Sequence, residues 1–273
     1  MKIVTLVENT PGEEGCAFEH GLSIYIETRE YKILLDTGAS EAFLQNAERL
    51  GIDLSQVDMM ILSHGHYDHA GGILEFVKVN LRAPIYMRPA AVKAYYNDRS
   101  AGAKYIGMDE RIFNLDRIVF TERFHVLSEQ ISLFSGVTGR RLWPEGNKKL
   151  KCLEDGVYRQ DLFDHEQSLV IREDGRSVLI SGCAHNGILN ILDKYQELYG
   201  AAPDMVITGF HMKKNAPLTE AEKEIVKSTA RELINYQNTS FYSGHCTGEE
   251  AFGIMKEIMG EQLHALHSGE RIL

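Results

Sequence analysis

The chain has 273 residues, 44% of them hydrophobic and 25% charged, and its 39 acidic against 29 basic side chains leave a formal net charge of -10. That is the composition of a globular protein with a sizeable core, and its charge excludes a general nucleic-acid-binding role, because phosphate backbones reward clustered Lys and Arg. No stretch approaches the roughly 18 apolar residues that a membrane crossing needs.

The opening residues, Met1-Lys2-Ile3-Val4, read as a short strand and lack the apolar run and cleavage site of a signal peptide. Residues 22–27 and 31–36 read as two adjacent strands. Residues 42–50 put Phe43, Leu44, Ala47 and Leu50 on one face, the mark of an amphipathic helix, and Gly51 ends it. A buried strand over 57–62 then delivers the chain to His64. Residues 86–160 are less regular, holding Tyr95-Tyr96, glycines near 100–107 and the basic cluster Arg140, Arg141, Lys148, Lys149 and Lys151. Long irregular stretches are usually functional loops. Residues 88–160 are therefore expected to be a lid or insert in a single domain spanning 1–273, with Arg140, Arg141 and Lys148 binding an anionic group.

A strand over 177–181, a helix over 187–199 closed by Gly200, and a strand over 204–208 repeat the earlier plan. Asp58-Met59 aligns with Asp204-Met205, 146 residues on, and the same offset carries Asp36 to Gly182 and Ser63 to Gly209. Self-similarity over that separation predicts two related halves of one domain. A third unit follows: a strand over 239–243, Gly244-His245-Cys246-Thr247-Gly248, a helix over 249–259 and a last strand over 263–267. The four cysteines, Cys16, Cys152, Cys183 and Cys246, form no CxxC pair, so a reduced cytoplasmic protein is expected. Homo-oligomer formation is compatible with this composition.

The chemistry concentrates in His64-Gly65-His66-Tyr67-Asp68-His69, straight after an apolar strand. Imidazoles and a carboxylate suit zinc, iron or manganese, and a tight loop at a strand end can aim several inward. Gly65, Gly71 and Gly72 leave the backbone free for the turn.

The His-x-His-x-Asp-His spacing resembles the metallo-β-lactamase superfamily, which implies an α/β four-layer αβ/βα sandwich made of two similar halves. Asp36-Thr37-Gly38, Gly182-Cys183-Ala184-His185, Gly209-Phe210-His211 and Gly244-His245-Cys246 further resemble one branch, whose members are labelled class II metal-dependent hydrolases or a pterin-pathway condensing synthase. The resemblance implies a first metal held by His64 and His66 and a second by Asp68 and His69. His165 and His185 compete for the third place at the first metal, with His185 preferred because it lies in the branch's own motif and His165 kept as its supporting partner. His245 matches the last ligand histidine. Cys183 stands where the superfamily carries a bridging aspartate; it is either a thiolate ligand or a small buried residue. His211 is a ligand or a proton donor beside the metals, and Asp36 either accepts a hydrogen bond from a ligand imidazole or starts the turn that follows its strand. His20, His125, His264 and His267 have no motif and are read as structural.

These residues imply two divalent transition-metal ions, zinc first, and a small, phosphate-bearing substrate hydrolysed by a water that the metals activate, with Asp68 orienting it and His211 holding the developing negative charge. The alternatives are the condensing synthase, a lactone or ester hydrolase, and a metal sensor without turnover.

Overall fold

A computed structural model describes every residue except Asn215. Six strands form the first sheet in the order Lys2–Val7, Ser23–Glu27, Lys32–Leu35, Met59–Ile61, Ile85–Met87 and Ile118–Phe120. Seven form the second, in the order Leu263–Ala265, Ser240–Ser243, Met205–Ile207, Arg176–Ile180, Gln167–Glu173, Ile131–Ser135 and Phe124–Val126.

Alternation along the strands explains the layering. Ile33 and Leu35 join Leu133, Leu169, Ile171, Val178 and Ile180 in a core between the two sheets. The residues between them point the other way: Leu34 packs with Phe43 and Phe76 of the helices Ala42–Arg49 and Ile73–Val79. Leu179 and Val170 likewise pack under Ile188–Tyr199, Glu220–Leu233 and Glu249–Met259. Strands with apolar residues on both faces are covered on both faces. The result is helices, sheet, sheet, helices, as expected for the αβ/βα sandwich.

The halves repeat one another in detail. The Asp58 carboxylate accepts the Lys32 N–H at 2.8 Å, and the Asp204 carboxylate accepts the Ser177 N–H at 2.7 Å, each tying the start of one parallel strand to the next. Ile33 pairs with Met59 as Val178 pairs with Met205. The equivalent of Asp36 is nevertheless Ser181 rather than Gly182, since the Asp36 N–H bonds to Ile61 O and the Ser181 N–H to Ile207 O, both at 3.0 Å. The second half holds one more residue between its paired strands, which shifts the offset there.

The region 88–160 is more ordered than its sequence suggests. Its segments complete the edges of both large sheets, and Val157–Gln160, Leu150–Glu154, Ala94–Asn97 and Lys104–Tyr105 build a small third sheet. These strands are short and partly exposed, so they lack a clear apolar alternation. The helix Glu220–Leu233 was not anticipated, although its start carries a readable signal: the Thr219 and Glu222 side chains each take the other's backbone N–H. Among the described residues no helix is long and apolar enough to cross a membrane.

If Asp58 and Asp204 do the same work, Asp58→Ala and Asp204→Ala should each lower unfolding stability by about 1 kcal/mol. Denaturant titration would expose an unequal pair.

Candidate metal centre

The parallel strands end at a common rim, and the residues that follow them carry the site. His64 to His69 follow Met59–Ile61, Cys183 to His185 follow Arg176–Ile180, His211 follows Met205–Ile207, and His245 follows Ser240–Ser243. Asp36, Ala184, His211 and His245 all adopt left-handed backbone, with φ of 58°, 49°, 50° and 50°. Non-glycine residues hold that conformation only where the surroundings enforce it. Gly182 lies where the halves meet, and a side chain there would strike Ser63 Oγ.

Two histidines sit in matching clamps. The His185 Nδ1–H donates to Asn147 Oδ1 at 3.0 Å, while Asn147 Nδ2 donates back to His185 O at 2.7 Å. The His245 Nδ1–H donates to Asn9 Oδ1 at 2.8 Å, while Asn9 Nδ2 donates to His245 O at 3.2 Å. Buried glutamates hold the peptide N–H of each: Glu166 accepts from His185 at 2.6 Å, and Glu8 accepts from His245.

Asp36, fully buried, sets two more imidazoles. Its Oδ1 accepts the Ser63 N–H at 2.7 Å, and its Oδ2 accepts the Ser63 hydroxyl at 2.6 Å and the His69 Nδ1–H at 2.7 Å. Having spent its single hydrogen on Asp36, Ser63 Oγ can only accept from His64 Nδ1–H, 2.8 Å away.

These networks assign the proton of all four rings to Nδ1 and leave each Nε2 with a bare lone pair. The Nε2 atoms then face one another: His64 and His185 at 3.3 Å, His69 and His245 at 3.2 Å. Lone pairs at that range repel unless a cation lies between them. His66 adds a third imidazole beside the first pair, its ring 4.6 Å from His64 and 4.9 Å from His185, with a buried Nε2 that has no partner among the described residues. Burial, then the His165 ring, pushes His66 down to about 3, and burial with neighbouring imidazoles holds His64 and His185 well below the usual histidine range. Neutral imidazoles are what a metal requires.

Asp68 stands beside the second pair, its Oδ2 3.5 Å from His245 Nε2. Burial would raise its pKa, but the surrounding imidazoles of His245, His69 and His20 outweigh burial and hold its carboxyl well below the usual carboxylate range. His20, expected to be structural, belongs to the site: its Nε2 donates to Asp68 Oδ2 at 3.2 Å while its half-exposed ring marks the opening to solvent. Sequence reasoning passed over His20, Glu8, Asn9, Asn147 and Glu166 because none lies in a ligand-like spacing.

His165 has no nitrogen to spare. Its Nδ1 accepts the Gly65 N–H at 2.9 Å, and its Nε2–H donates to Asp161 at 3.1 Å. Cys183 Sγ lies 3.2 Å from His69 Nε2. The His211 ring centre is 4.1 Å from that of His185, and His211 Nδ1 is buried without a partner among the described residues. The basic cluster is largely engaged elsewhere: Arg141 bonds Asp193 and Glu232 at 3.0 Å each, and Lys148 pairs with Glu145 at 2.6 Å. Arg140 bonds Asn186 Oδ1 at 3.1 Å, behind His185, with its guanidinium over Trp143.

The metallo-beta-lactamase superfamily profile matches residues 17–141. Across its full length the chain is 31% identical to the 7,8-dihydropterin-6-methyl-4-(beta-D-ribofuranosyl)-aminobenzene-5'-phosphate synthase of Methanocaldococcus jannaschii, covering 96% of that protein. The chain belongs to the metallo-beta-lactamase superfamily. The crystal structure of Tm1679, a metal-dependent hydrolase of the beta-lactamase superfamily, is similar at a TM-score of 0.84 with 30% identity, covering 100% of this chain and 98% of that one. A diphosphatase from the PhnP family shares the fold at a TM-score of 0.56 and 13% identity, covering 100% of this chain and 97% of that one. The chain is thus a metal-dependent, hydrolase-type enzyme with the metallo-beta-lactamase fold, and the opposed Nε2 atoms and unpartnered His66 nitrogen fit the metal chemistry that the superfamily implies.

Asn147→Ala and Asn9→Ala should each weaken metal binding by roughly 10–100-fold, the usual cost of losing the group that orients a ligand imidazole. Competition against a chelator of known affinity measures this; unchanged affinity in both variants would deny the clamps their role.

Proposed function

We propose that this enzyme hydrolyses a small phosphate-bearing ester at a centre of two divalent transition-metal ions, zinc first among them. His64, His66 and His185 would hold one ion, and Asp68, His69 and His245 the other. The observation that carries this reading is the pair of opposed Nε2 contacts at 3.3 and 3.2 Å, two separate sets of lone pairs that each call for a cation. When bound, such ions supply positive charge that makes water acidic near neutral pH and polarises an ester oxygen.

The chain's own side chains do the rest. Asp68, ionised and steadied by the His20 Nε2–H, takes a proton from the attacking water. His211 Nδ1, buried and without a partner among the described residues, offers a hydrogen bond to the oxygen on which negative charge develops. His165 supports Gly65 and takes no metal. A cleft of about 540 Å³ opens beside His245, and Lys213 on its wall makes no ion pair among the described residues. With Arg141 and Lys148 committed to acidic partners, Lys213 is the better anion-binding group. The full-length relative is named a synthase of a 5'-phosphate compound, which supports a phosphate-bearing ligand. It also favours a second reading, a condensation on such a ligand at the same centre.

His185→Ala should lose one of about two bound metals and nearly all activity, while His165→Ala keeps both metals and part of the activity. Elemental analysis with initial rates decides between them, and protein that binds no metal would sink the reading. Lys213→Ala should raise KM for phosphate esters about tenfold or more while leaving neutral esters unchanged, the loss of roughly 1.4 kcal/mol of charge-assisted binding. An equal effect on both substrate classes would remove the phosphate assignment. Product analysis with a phosphorylated ester separates hydrolysis from condensation.

A further inference from the structure

We propose that the Cys183 thiolate is a ligand to both metal ions, the side chain that joins the two histidine sets into one centre. This rests on the two-metal reading above and names how the two sites are coupled.

Among the described residues, Cys183 alone belongs both to the set with His64 and His185 and to the set with His69 and His245, its Sγ lying within 4.8 Å of the ligand atoms of each. The sulfur is buried, and it lies 3.2 Å from His69 Nε2, whose lone pair is turned inward because the Nδ1–H is spent on Asp36. The backbone aims it there. Gly182 lets the strand end press against Ser63, and Ala184, at a φ of 49°, turns the chain so that Cys183 and His185 reach one space from adjacent loop positions.

Charge gives an independent reason. Two divalent ions enter a buried space in which, among the described residues, Asp68 and Asp161 are the carboxylates grouped with metal-facing histidines, and Asp161 is already taken by the His165 Nε2–H while Asp36 stands behind His69. A buried thiol in apolar surroundings stays protonated, whereas a thiol beside a cation ionises. Metal binding therefore breaks the Cys183 S–H bond, releases the proton to solvent and forms sulfur–metal bonds in its place, adding a second negative charge where it is most needed. Cys246, the other thiol nearby, is oriented differently: its Sγ points to Cys183 O at 3.6 Å, and it falls in neither of the two histidine sets. A shared thiolate makes the centre prefer zinc, cobalt or ferrous iron over manganese or magnesium.

X-ray absorption at the zinc edge of the zinc-loaded wild-type enzyme reads the coordination shell with no substitution. The expected result is one sulfur neighbour per zinc, averaged over both ions. Sulfur on only one of two bound zincs, or on neither, overturns the shared thiolate and leaves the two-metal reading standing. A chain that binds no zinc overturns both. Cobalt-loaded protein gives a second readout, the near-ultraviolet thiolate-to-cobalt absorption. That band should persist in Cys152→Ser and Cys246→Ser and vanish in Cys183→Asp, which keeps an anionic ligand and still binds two ions. Loss of the band in Cys246→Ser, or its survival in Cys183→Asp, overturns the assignment.

Discussion

Four buried imidazoles turn unprotonated nitrogens toward one another at 3.2–3.3 Å, and much of the molecule is arranged to make them do so. An isolated histidine chooses freely between tautomers and ring orientations. Here each Nδ1–H has an acceptor that admits no alternative: a buried carboxylate, a serine whose hydrogen is already spent, or an asparagine fixed by its second bond to the same histidine. Metal ligation at Nε2 is the complement of that choice.

Two of these imidazoles sit in matching clamps, at two strand ends of the second sheet. His185 and His245 lie on different elements and far apart in sequence, yet each is held at its peptide N–H by a buried glutamate and at its ring and carbonyl by one asparagine. Buried carboxylates are costly unless fully hydrogen-bonded. Glu166 meets that condition through His185 N, Asn186 N and the Asn186 amide, and Glu8 through His245 N and both donors of Thr10. The apolar core between the sheets keeps the strand ends level, so loops with left-handed residues at Ala184, His211 and His245 meet at one rim.

The chain spends a buried carboxylate, Asp161, on fixing His165, which in turn accepts the Gly65 N–H and stacks on Tyr95 at 4.0 Å between ring centres. A histidine of this kind contributes through the motif loop that it stiffens. The basic side chains of the 140–151 stretch divide along similar lines. Arg141 ties that stretch to the helices carrying Asp193 and Glu232, and exposed ion pairs of this type are worth little to stability but do hold a loop in place.

Much was legible in the sequence because the signals were local. Short continuous apolar runs marked the strands of both halves, and Asp58 and Asp204 marked the repeat. His64, His66, Asp68 and His69 stood together because one tight loop carries all four. The small third sheet stayed hidden, since strands such as Lys104–Tyr105 are too short and exposed to alternate. The sequence by itself determined the sandwich and the chemistry of its motif. Only the tertiary structure decided which histidines keep a free nitrogen, that His20 reaches Asp68, and that Glu8, Asn9, Asn147 and Glu166 serve the site. The physical reason is that a tautomer is set by the partner of the other ring nitrogen, and for His185 and His245 that partner lies 38 and 236 residues away.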